Sequence, residues 1–194
     1  MSSVRVSSVT KGSYVNGPGR RNVLHLQGCS IKCKGCFNPH TWKKSGGEDR
    51  RWHAVYTELT SDNPDGITIS GGEPMEQWVP VYQILCLTKA MNAGINRLMF
   101  TGLSLAELEE HDGWGKMRDV LDLVVAGPYV KELHCEEPLR GSSNQELIFL
   151  SDKITEEDLE DLPQVEVHLD DDLVTVAGFP SKDLRYELNK EIKG

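Results

Sequence analysis

Three cysteines, Cys29, Cys33 and Cys36, lie within eight residues at the spacing C-x3-C-x2-C. Thiolates bind both iron–sulfur clusters and structural zinc. Three thiolates from one loop can bind three irons of a [4Fe–4S] cubane and leave the fourth iron open, as a catalytic zinc keeps one position free. Two other interpretations stay open. One is zinc, with His40 or the distant Cys135 as a fourth ligand, and the other is a packed loop of free thiols.

A second candidate is the turn Gly71-Gly72-Glu73-Pro74, some thirty-five residues after the cysteine loop. Paired glycines let backbone carbonyl groups approach a ligand closely. Glu73 supplies negative charge, which suits a cationic ligand. By itself the pattern is typical of an ordinary strand-to-helix turn. Together with the cysteine loop it indicates a binding site.

The candidate residues must be positioned by secondary structure. The chain contains four short segments with the residue pattern of β-strands, and each segment ends at glycine. The runs are residues 23–27, 66–70, 96–101 and 121–126. Their alternation with helical stretches predicts an α/β fold with parallel strands and right-handed crossovers. Ligands collect at the carboxyl ends of such strands. The cysteine loop, the Gly-Gly-Glu-Pro turn and the segments 101–102 and 127–128 all follow strand ends, so we expect four loops to converge on one face.

Further elements are predicted between and after these runs. Three helices are expected, at 75–92, at the capping box formed by Ser104 and Glu107, and at 151–159. Two more strands are expected at 165–169 and 173–177, with a turn at 170–172 that favours a hairpin.

The composition indicates one globular domain. The chain has 194 residues, of which 38% are hydrophobic and 26% charged. No apolar run reaches the roughly eighteen residues of a membrane-spanning helix, and the first residues lack the apolar segment of a signal peptide. Five cysteines, with three in one loop, do not suit a secreted disulfide framework. We therefore expect a cytoplasmic protein without a membrane partner.

Charge is distributed unevenly along the chain. Residues 1–60 carry ten Lys and Arg against three Asp and Glu, whereas residues 61–194 carry eleven against twenty-seven. The basic third contains the cysteines and is interpreted either as a solvated face or as a docking surface for an acidic partner. The overall net charge of −9 and the absence of a recognisable binding motif argue against nucleic acid.

The cysteine spacing, followed by Ile67-Thr-Ile-Ser and the turn at 71–74, resembles the two hallmarks of the radical S-adenosylmethionine (SAM) superfamily. The resemblance implies a partial (βα)-barrel of the radical SAM type with a mostly parallel sheet. It implies a core domain at 1–150 and a small C-terminal extension at 151–194, packed on the same domain. It also implies a [4Fe–4S] cluster and SAM as cofactors, which carry the chemistry without a separate catalytic side chain.

Site residues follow from the same resemblance. The cluster ligands would be Cys29, Cys33 and Cys36. The turn would hold the amino group of SAM, and the cofactor-binding residues would be Gly71, Gly72, Glu73, Pro74, Thr101 and Asn38.

Further segments are similar to the activating proteins of glycyl radical enzymes, above all those of anaerobic (class III) ribonucleotide reductase. These segments are residues 15–20, 33–42, 100–102, 121–129 and 139–145. Asn16 departs from the family, which often has Asp there, and so does Ala126, where an acidic residue often precedes the glycine. The segment 140–145 receives no individual role beyond a place near the active face.

The resemblance implies that the reduced cluster cleaves SAM into methionine and a 5′-deoxyadenosyl radical, which takes hydrogen from a backbone glycine of the partner reductase. Such a substrate is a flexible protein loop, so the active face must be open to receive it. An acidic electron donor such as flavodoxin would suit the basic third. Two alternatives are a radical SAM enzyme acting on another protein, peptide or small molecule, and a non-enzymatic zinc or iron–sulfur module.

Overall fold

The computed structural model describes residues 2–170, 173–181 and 184. The strands are β1 (Ser3–Ser13), β2 (Arg21–Leu26), β3 (Glu48–Arg51), β4 (Gly66–Gly71), β5 (Asn96–Thr101), β6 (Leu123–Ala126), β7 (His134–Glu137), β8 (Arg140–Ser142), β9 (Glu146–Phe149), β10 (Val165–Asp170) and β11 (Leu173–Gly178). The α-helices are α1 (Trp52–Thr60), α2 (Trp78–Met91), α3 (Leu105–Glu109) and α4 (Trp114–Arg118). Short 3-10 helices cover Pro39–Thr41, Pro74–Gln77, Lys131–Leu133 and Glu157–Leu159.

A seven-stranded sheet in the order β3-β1-β2-β4-β5-β6-β9 forms the centre of the mixed α/β fold. Its four central strands, β2, β4, β5 and β6, are parallel to one another, as their alternation with helices predicts. The flanking pairs β1–β2, β1–β3 and β6–β9 are antiparallel. The carboxyl ends of the four parallel strands therefore lie along one edge of the sheet.

The sheet separates two apolar clusters because side chains alternate between its faces. The cluster beneath the helices includes Leu24, Ile69 and Met99 from the sheet and Val55, Ile84 and Met117 from α1, α2 and α4. The cluster on the opposite face comprises Leu98, Leu123, Val125, Leu139, Ile154 and Leu159, with Phe100 packed against it. The residues after β9 thus contribute apolar side chains to the face that the helices leave uncovered.

Some predicted elements differ from the structure. The predicted helix at 75–92 is confirmed from Trp78 onwards, and a 3-10 turn at Pro74–Gln77 precedes it. At 151–159 only Glu157–Leu159 is helical. Ser151 Oγ accepts the Lys153 N–H at 3.3 Å, as a capping residue does, and donates to Asp122 at 2.7 Å, but no helix follows it directly.

Two other predictions are confirmed. The capping box of Ser104 and Glu107 is formed at the start of α3. The strands β10 and β11 pair with each other in antiparallel register. Residues 171 and 172 of the predicted turn lie outside the described residues. Within the described part of the chain, no helix has the length and apolar character to cross a bilayer.

The opposite edge of the sheet, at the amino ends of the parallel strands, is held by a buried arginine. The Arg21 guanidinium donates to four uncharged acceptors, which are Thr68 Oγ1, Pro18 O, Asn96 Oδ1 and Ile67 O, at 2.5–2.8 Å. Burial lowers the pKa of Arg21 to about 9, against the opposing effect of nearby Asp122 and Asp65. The Gly17-Pro18-Gly19 segment folds around this side chain and belongs to the edge away from the cysteines.

Candidate active site at the carboxyl ends of the parallel strands

The cysteine loop leaves the end of β2 and is tied to the residues that close it. The Gly28 N–H donates to the carbonyl of Thr41 at 2.7 Å, and the Cys29 N–H donates to the carbonyl of Trp42 at 3.1 Å. Lys32 has φ +52°, a left-handed conformation that is uncommon for a residue with a Cβ. The backbone therefore reverses direction sharply between the first two cysteines.

Backbone N–H groups point at all three cysteine sulfurs, and each cysteine is half-buried. The donors are Ile31 and Lys32 for Cys29, Tyr129 for Cys33, and Asn38 for Cys36, the last at 3.3 Å. Burial raises the pKa of the Cys29 and Cys33 thiols, and these N–H donors act against that rise. Hydrogen bonds to sulfur are among the levers by which a protein tunes an iron–sulfur cluster. The donor set around this loop fits such a cluster.

The three thiols are not gathered into a finished metal site. In the parts of the chain that the structure describes, no group of three or more His, Cys, Asp or Glu side chains is arranged to hold a metal ion. The assignment of the cluster to Cys29, Cys33 and Cys36 stays a prediction.

The Gly-Gly-Glu-Pro turn lies directly against the start of the cysteine loop. The Gly72 N–H donates to Leu26 O at 2.8 Å, and the Glu73 N–H donates to Gly28 O at 2.9 Å. A Cβ on Gly72 would collide with the carbonyl oxygen of Gly28. The second glycine is therefore required by the close approach of two backbones, whatever else it binds.

The Glu73 side chain turns towards the end of β5. Its carboxylate is 3% exposed and accepts hydrogen bonds from Met75 N at 2.9 Å, Thr101 Oγ1 at 2.7 Å and Gly102 N at 2.8 Å. Burial raises the pKa of this carboxyl group, against the opposing effect of the three donors. Glu73 thus links the turn after β4 to the end of β5, and Thr101 contributes a hydroxyl to that link.

The cysteine loop also packs on the ends of β5 and β6. A Cβ on Gly102 would lie 2.6 Å from Cδ1 of Ile31, so this glycine leaves room for the loop. Phe37, next to Cys36, packs edge-to-face on Tyr129 with ring centroids 5.2 Å apart. The structure thus brings all four strand-end loops together.

The segment 140–145 braces the turn after β6. Gln145 Nε2 donates to Gly127 O at 3.1 Å, and Asn144 Nδ2 donates to Pro128 O at 2.8 Å. Gln145 Oε1 accepts the N–H groups of Gly141 at 2.8 Å and Ser142 at 3.2 Å. The segment 140–145 therefore fixes the Gly127-Pro128 turn. The next residue, Tyr129, donates its N–H to the Cys33 sulfur.

Several site residues were missed by sequence reasoning. Ile31 belongs to no recognised motif, and Phe37 and Tyr129, which lie in the segments 33–42 and 121–129, were assigned no individual role. Glu76 accepts the Ser30 N–H at 2.6 Å and forms an ion pair with Lys44 at 2.9 Å. These partners lie far away in sequence, so no local periodicity reveals them.

The comparisons with known proteins agree with an iron–sulfur site. The profile of the family described as "4Fe-4S single cluster domain" matches residues 15–148, more than half of the chain. That range contains the cysteine loop, the Gly-Gly-Glu-Pro turn and the segment 140–145.

Curated relatives are activating proteins. The anaerobic ribonucleoside-triphosphate reductase-activating protein of Vibrio cholerae is 33% identical over 141 residues, or 68% of this chain and 88% of the relative. Its namesake in Enterobacteria phage T4 is 29% identical over 150 residues, or 75% of this chain and 94% of the relative. The pyruvate formate-lyase-activating enzyme of Listeria monocytogenes serovar 1/2a is 31% identical over 144 residues, or 70% of this chain, and the chain spans only 56% of its length.

The contact between Gly72 and Gly28 yields a first prediction. We expect Gly72→Ala to lower the free energy of unfolding by roughly 1–3 kcal/mol, because a methyl group forces the two backbones apart. The same change should reduce the iron bound after anaerobic reconstitution, since the turn supports the loop that carries Cys29. Urea unfolding and iron analysis measure the two effects. Gly94→Ala is the matched control, because a Cβ there meets no atom within 4 Å. Equal behaviour of the two variants would contradict the role of this contact.

The buried Glu73 carboxylate yields a second prediction. Folding raises the pKa of Glu73, so between its ordinary pKa and the raised pKa the folded protein binds more protons than the unfolded chain. The stability of the protein therefore falls as the pH rises from the first value to the second. Thr101→Val removes one donor to the charged form, so the fall should become larger and extend to higher pH. We expect a loss of about 1.5–3 kcal/mol at pH 8 and a smaller loss at pH 5, measured by urea unfolding.

Thr88→Val provides the control for that experiment. Thr88 is also buried, but its hydroxyl donates to the Ile84 carbonyl within α2, which does not titrate. Its loss of stability should be the same at both pH values. A pH-independent loss in Thr101→Val would show that the hydroxyl does not act through the Glu73 carboxylate.

Proposed function

We propose that this chain, which belongs to the radical SAM family of glycyl-radical-enzyme activating proteins, generates a glycyl radical on an anaerobic ribonucleotide reductase by reductive cleavage of SAM. The single observation that carries the proposal is the joining of four strand-end loops around three cysteines. The relatives named as reductase-activating proteins support the choice of partner.

The cofactors, when bound, would supply the radical chemistry: the electron that splits SAM into methionine and a carbon radical able to take hydrogen from glycine would come from a [4Fe–4S] cluster with one open iron. In our proposal Cys29, Cys33 and Cys36 ligate three irons. The backbone N–H groups of Ile31, Lys32, Asn38 and Tyr129 would favour the thiolate form of these cysteines. They would also fix the orientation of the sulfurs.

The Gly-Gly-Glu-Pro turn would position SAM through its backbone. Gly71 and Gly72 would bring main-chain carbonyls close to the ligand, and Pro74 starts the 3-10 turn that follows. The Glu73 carboxylate accepts hydrogen bonds from Met75, Thr101 and Gly102. It would therefore hold the turn rigid and provide negative potential near a cationic ligand. Asn38 would act beside Cys36, whose sulfur accepts its N–H.

We further propose that the sheet is the partial barrel of radical SAM enzymes, with residues 1–150 as the core and 151–194 as an extension. Support comes from the four central parallel strands and from the position of all four loops at their carboxyl ends. Ile154 and Leu159 pack in the cluster that contains Leu98, which suits an extension belonging to the same domain.

Anaerobic reconstitution with iron and sulfide, followed by dithionite and SAM, tests the chemistry. We expect 5′-deoxyadenosine, and with the anaerobic ribonucleotide reductase of the same organism a glycyl-radical doublet in the EPR spectrum. Cys33→Ala should abolish both signals, because one cluster ligand is lost. Cys86→Ala is the matched control and should retain both, since Cys86 lies on α2 and packs with the core beneath the helices.

The outcomes separate the alternatives. Absence of 5′-deoxyadenosine from the wild-type protein would contradict SAM chemistry and favour a non-enzymatic metal module. Formation of 5′-deoxyadenosine without an EPR doublet would point to another substrate. A second glycyl radical enzyme to test is pyruvate formate-lyase, since relatives 31% identical are named as its activating enzymes.

The electron donor would bind to the exposed rim of the cysteine loop, by which we mean the lysines around it. Five exposed lysines surround the loop: Lys32, Lys34, Lys43, Lys44 and Lys131. A positive rim accelerates encounter with an acidic protein, and salt screens that attraction. We propose that flavodoxin, or another acidic donor of this kind, docks there.

Charge reversal tests this docking. Lys34→Glu should slow cluster reduction by reduced flavodoxin about tenfold at low ionic strength, and the difference should vanish at high salt. Lys11→Glu is the control, because Lys11 contacts Ser61 near the opposite edge of the sheet. Reduction by dithionite should be the same in all three proteins. A flavodoxin rate independent of salt would count against the proposed surface.

A further inference from the structure

A ring from the end of the described chain occupies a slot beside the cysteine loop. Phe179, which follows β11, packs between Phe37 and Phe100, with ring centroids at 5.8 and 5.9 Å. We call the space between the rings of Phe37 and Phe100 the aromatic slot. It joins the cysteine loop to β5, because Phe37 follows Cys36 directly and Phe100 precedes Thr101.

The slot lies on the face of the sheet that the helices do not cover. Phe100 packs with Leu98 and Val125, on the side opposite α1 and α2. Gly141 keeps the neighbourhood open for rings, since a Cβ there would lie 3.1 Å from Phe37 and 3.2 Å from Tyr129. The slot therefore borders the strand ends on the face opposite the α-helices.

The segment that carries Phe179 is attached separately from the main sheet. Strands β10 and β11 form their own two-stranded sheet. Side-chain hydrogen bonds join this hairpin to the rest of the chain: Tyr14 N donates to Glu166 Oε2 at 2.8 Å, and Gln164 Nε2 donates to Glu136 O at 2.7 Å. A small element with such attachments can open without unfolding the core.

The hairpin also lies outside the residues that the family profile matches. The matched family profile ends at residue 148, before β10 begins. Phe179 therefore lies beyond the matched iron–sulfur domain, although its ring packs on Phe37 inside it.

We infer that Phe179 determines substrate specificity by closing the aromatic slot until a glycine-bearing loop of the partner enzyme displaces it. The inference rests on the proposed function. A radical formed at the cysteine loop must meet a backbone glycine, which can reach the strand ends only on a flexible protein segment. A loop carrying a large apolar side chain beside the glycine can replace the Phe179 ring, because the slot already accepts a phenyl group. Partners without such a side chain would leave it closed.

The test compares Phe179→Ala with the wild-type protein and with Val167→Ala, a control on the same hairpin at a side chain that is 55% exposed. The probe is the anaerobic ribonucleotide reductase of the same organism, and its affinity for the reconstituted proteins is measured by anaerobic calorimetry. Loss of two aromatic contacts favours the open state, so we expect Phe179→Ala to bind the reductase about tenfold more tightly. Val167→Ala should bind like the wild type, and Phe179→Leu should lie between.

Activity gives a second, separate readout. Phe179→Ala should lower the apparent KM for the reductase in glycyl-radical formation and leave kcat unchanged. Unchanged or weaker binding by Phe179→Ala would overturn the inference even where the wild type forms the radical. Tighter binding would support the inference even where no 5′-deoxyadenosine is formed, a result that contradicts only the proposed chemistry. Cluster absorbance and the melting temperature confirm that the variants are folded.

Discussion

The carbonyl oxygen of Gly28 accepts the N–H of Glu73 at 2.9 Å, and this contact sets the distance between the end of β2 and the turn after β4. Two backbones can approach so closely only where a side chain is absent, and Gly72 meets that condition. The cysteine loop begins at the same carbonyl group. Its start is therefore positioned by main-chain geometry, and the side chains of Ile31 and Phe37 add contacts to the ends of β5 and β6.

The Gly-Gly-Glu-Pro turn is also fixed to the end of β5, through the buried carboxylate of Glu73. An isolated carboxylate at the position of Glu73 would be costly, because burial disfavours its ionised form. Three donors offset that cost, and two of them, Thr101 Oγ1 and Gly102 N, belong to the end of β5. A residue first considered for its charge towards a ligand thus also acts as a brace. Both roles can coexist, since hydrogen bonding fixes the carboxylate without removing its negative potential.

The sequence predicted those elements whose signals lie within a few neighbouring residues. Alternation and terminal glycines predicted the four parallel strands, and the capping box of Ser104 predicted the start of α3, because both signals act over a few residues. The helix predicted at 151–159 is limited to Glu157–Leu159, and the Ser151 hydroxyl donates to Asp122, a partner 29 residues away. Such long-range contacts, like those of Ile31 with Gly102 and of the Tyr129 N–H with Cys33, escaped prediction. They exist only once the strands have brought distant loops together.

The two edges of the sheet serve different needs. At the amino ends of the strands, Arg21 is buried among uncharged acceptors and ties β2, β4 and β5 into one rigid unit. At the carboxyl ends, loops of irregular backbone carry the cysteines and the turn. Relatives of similar identity are named for two different partner enzymes. We expect the choice of partner to depend on the surface around the cysteine loop. In this chain, the rings at Phe37 and Phe100 and the segment beyond residue 148 border the approach to the cysteines, so these are the parts where specificity can change without altering the chemistry.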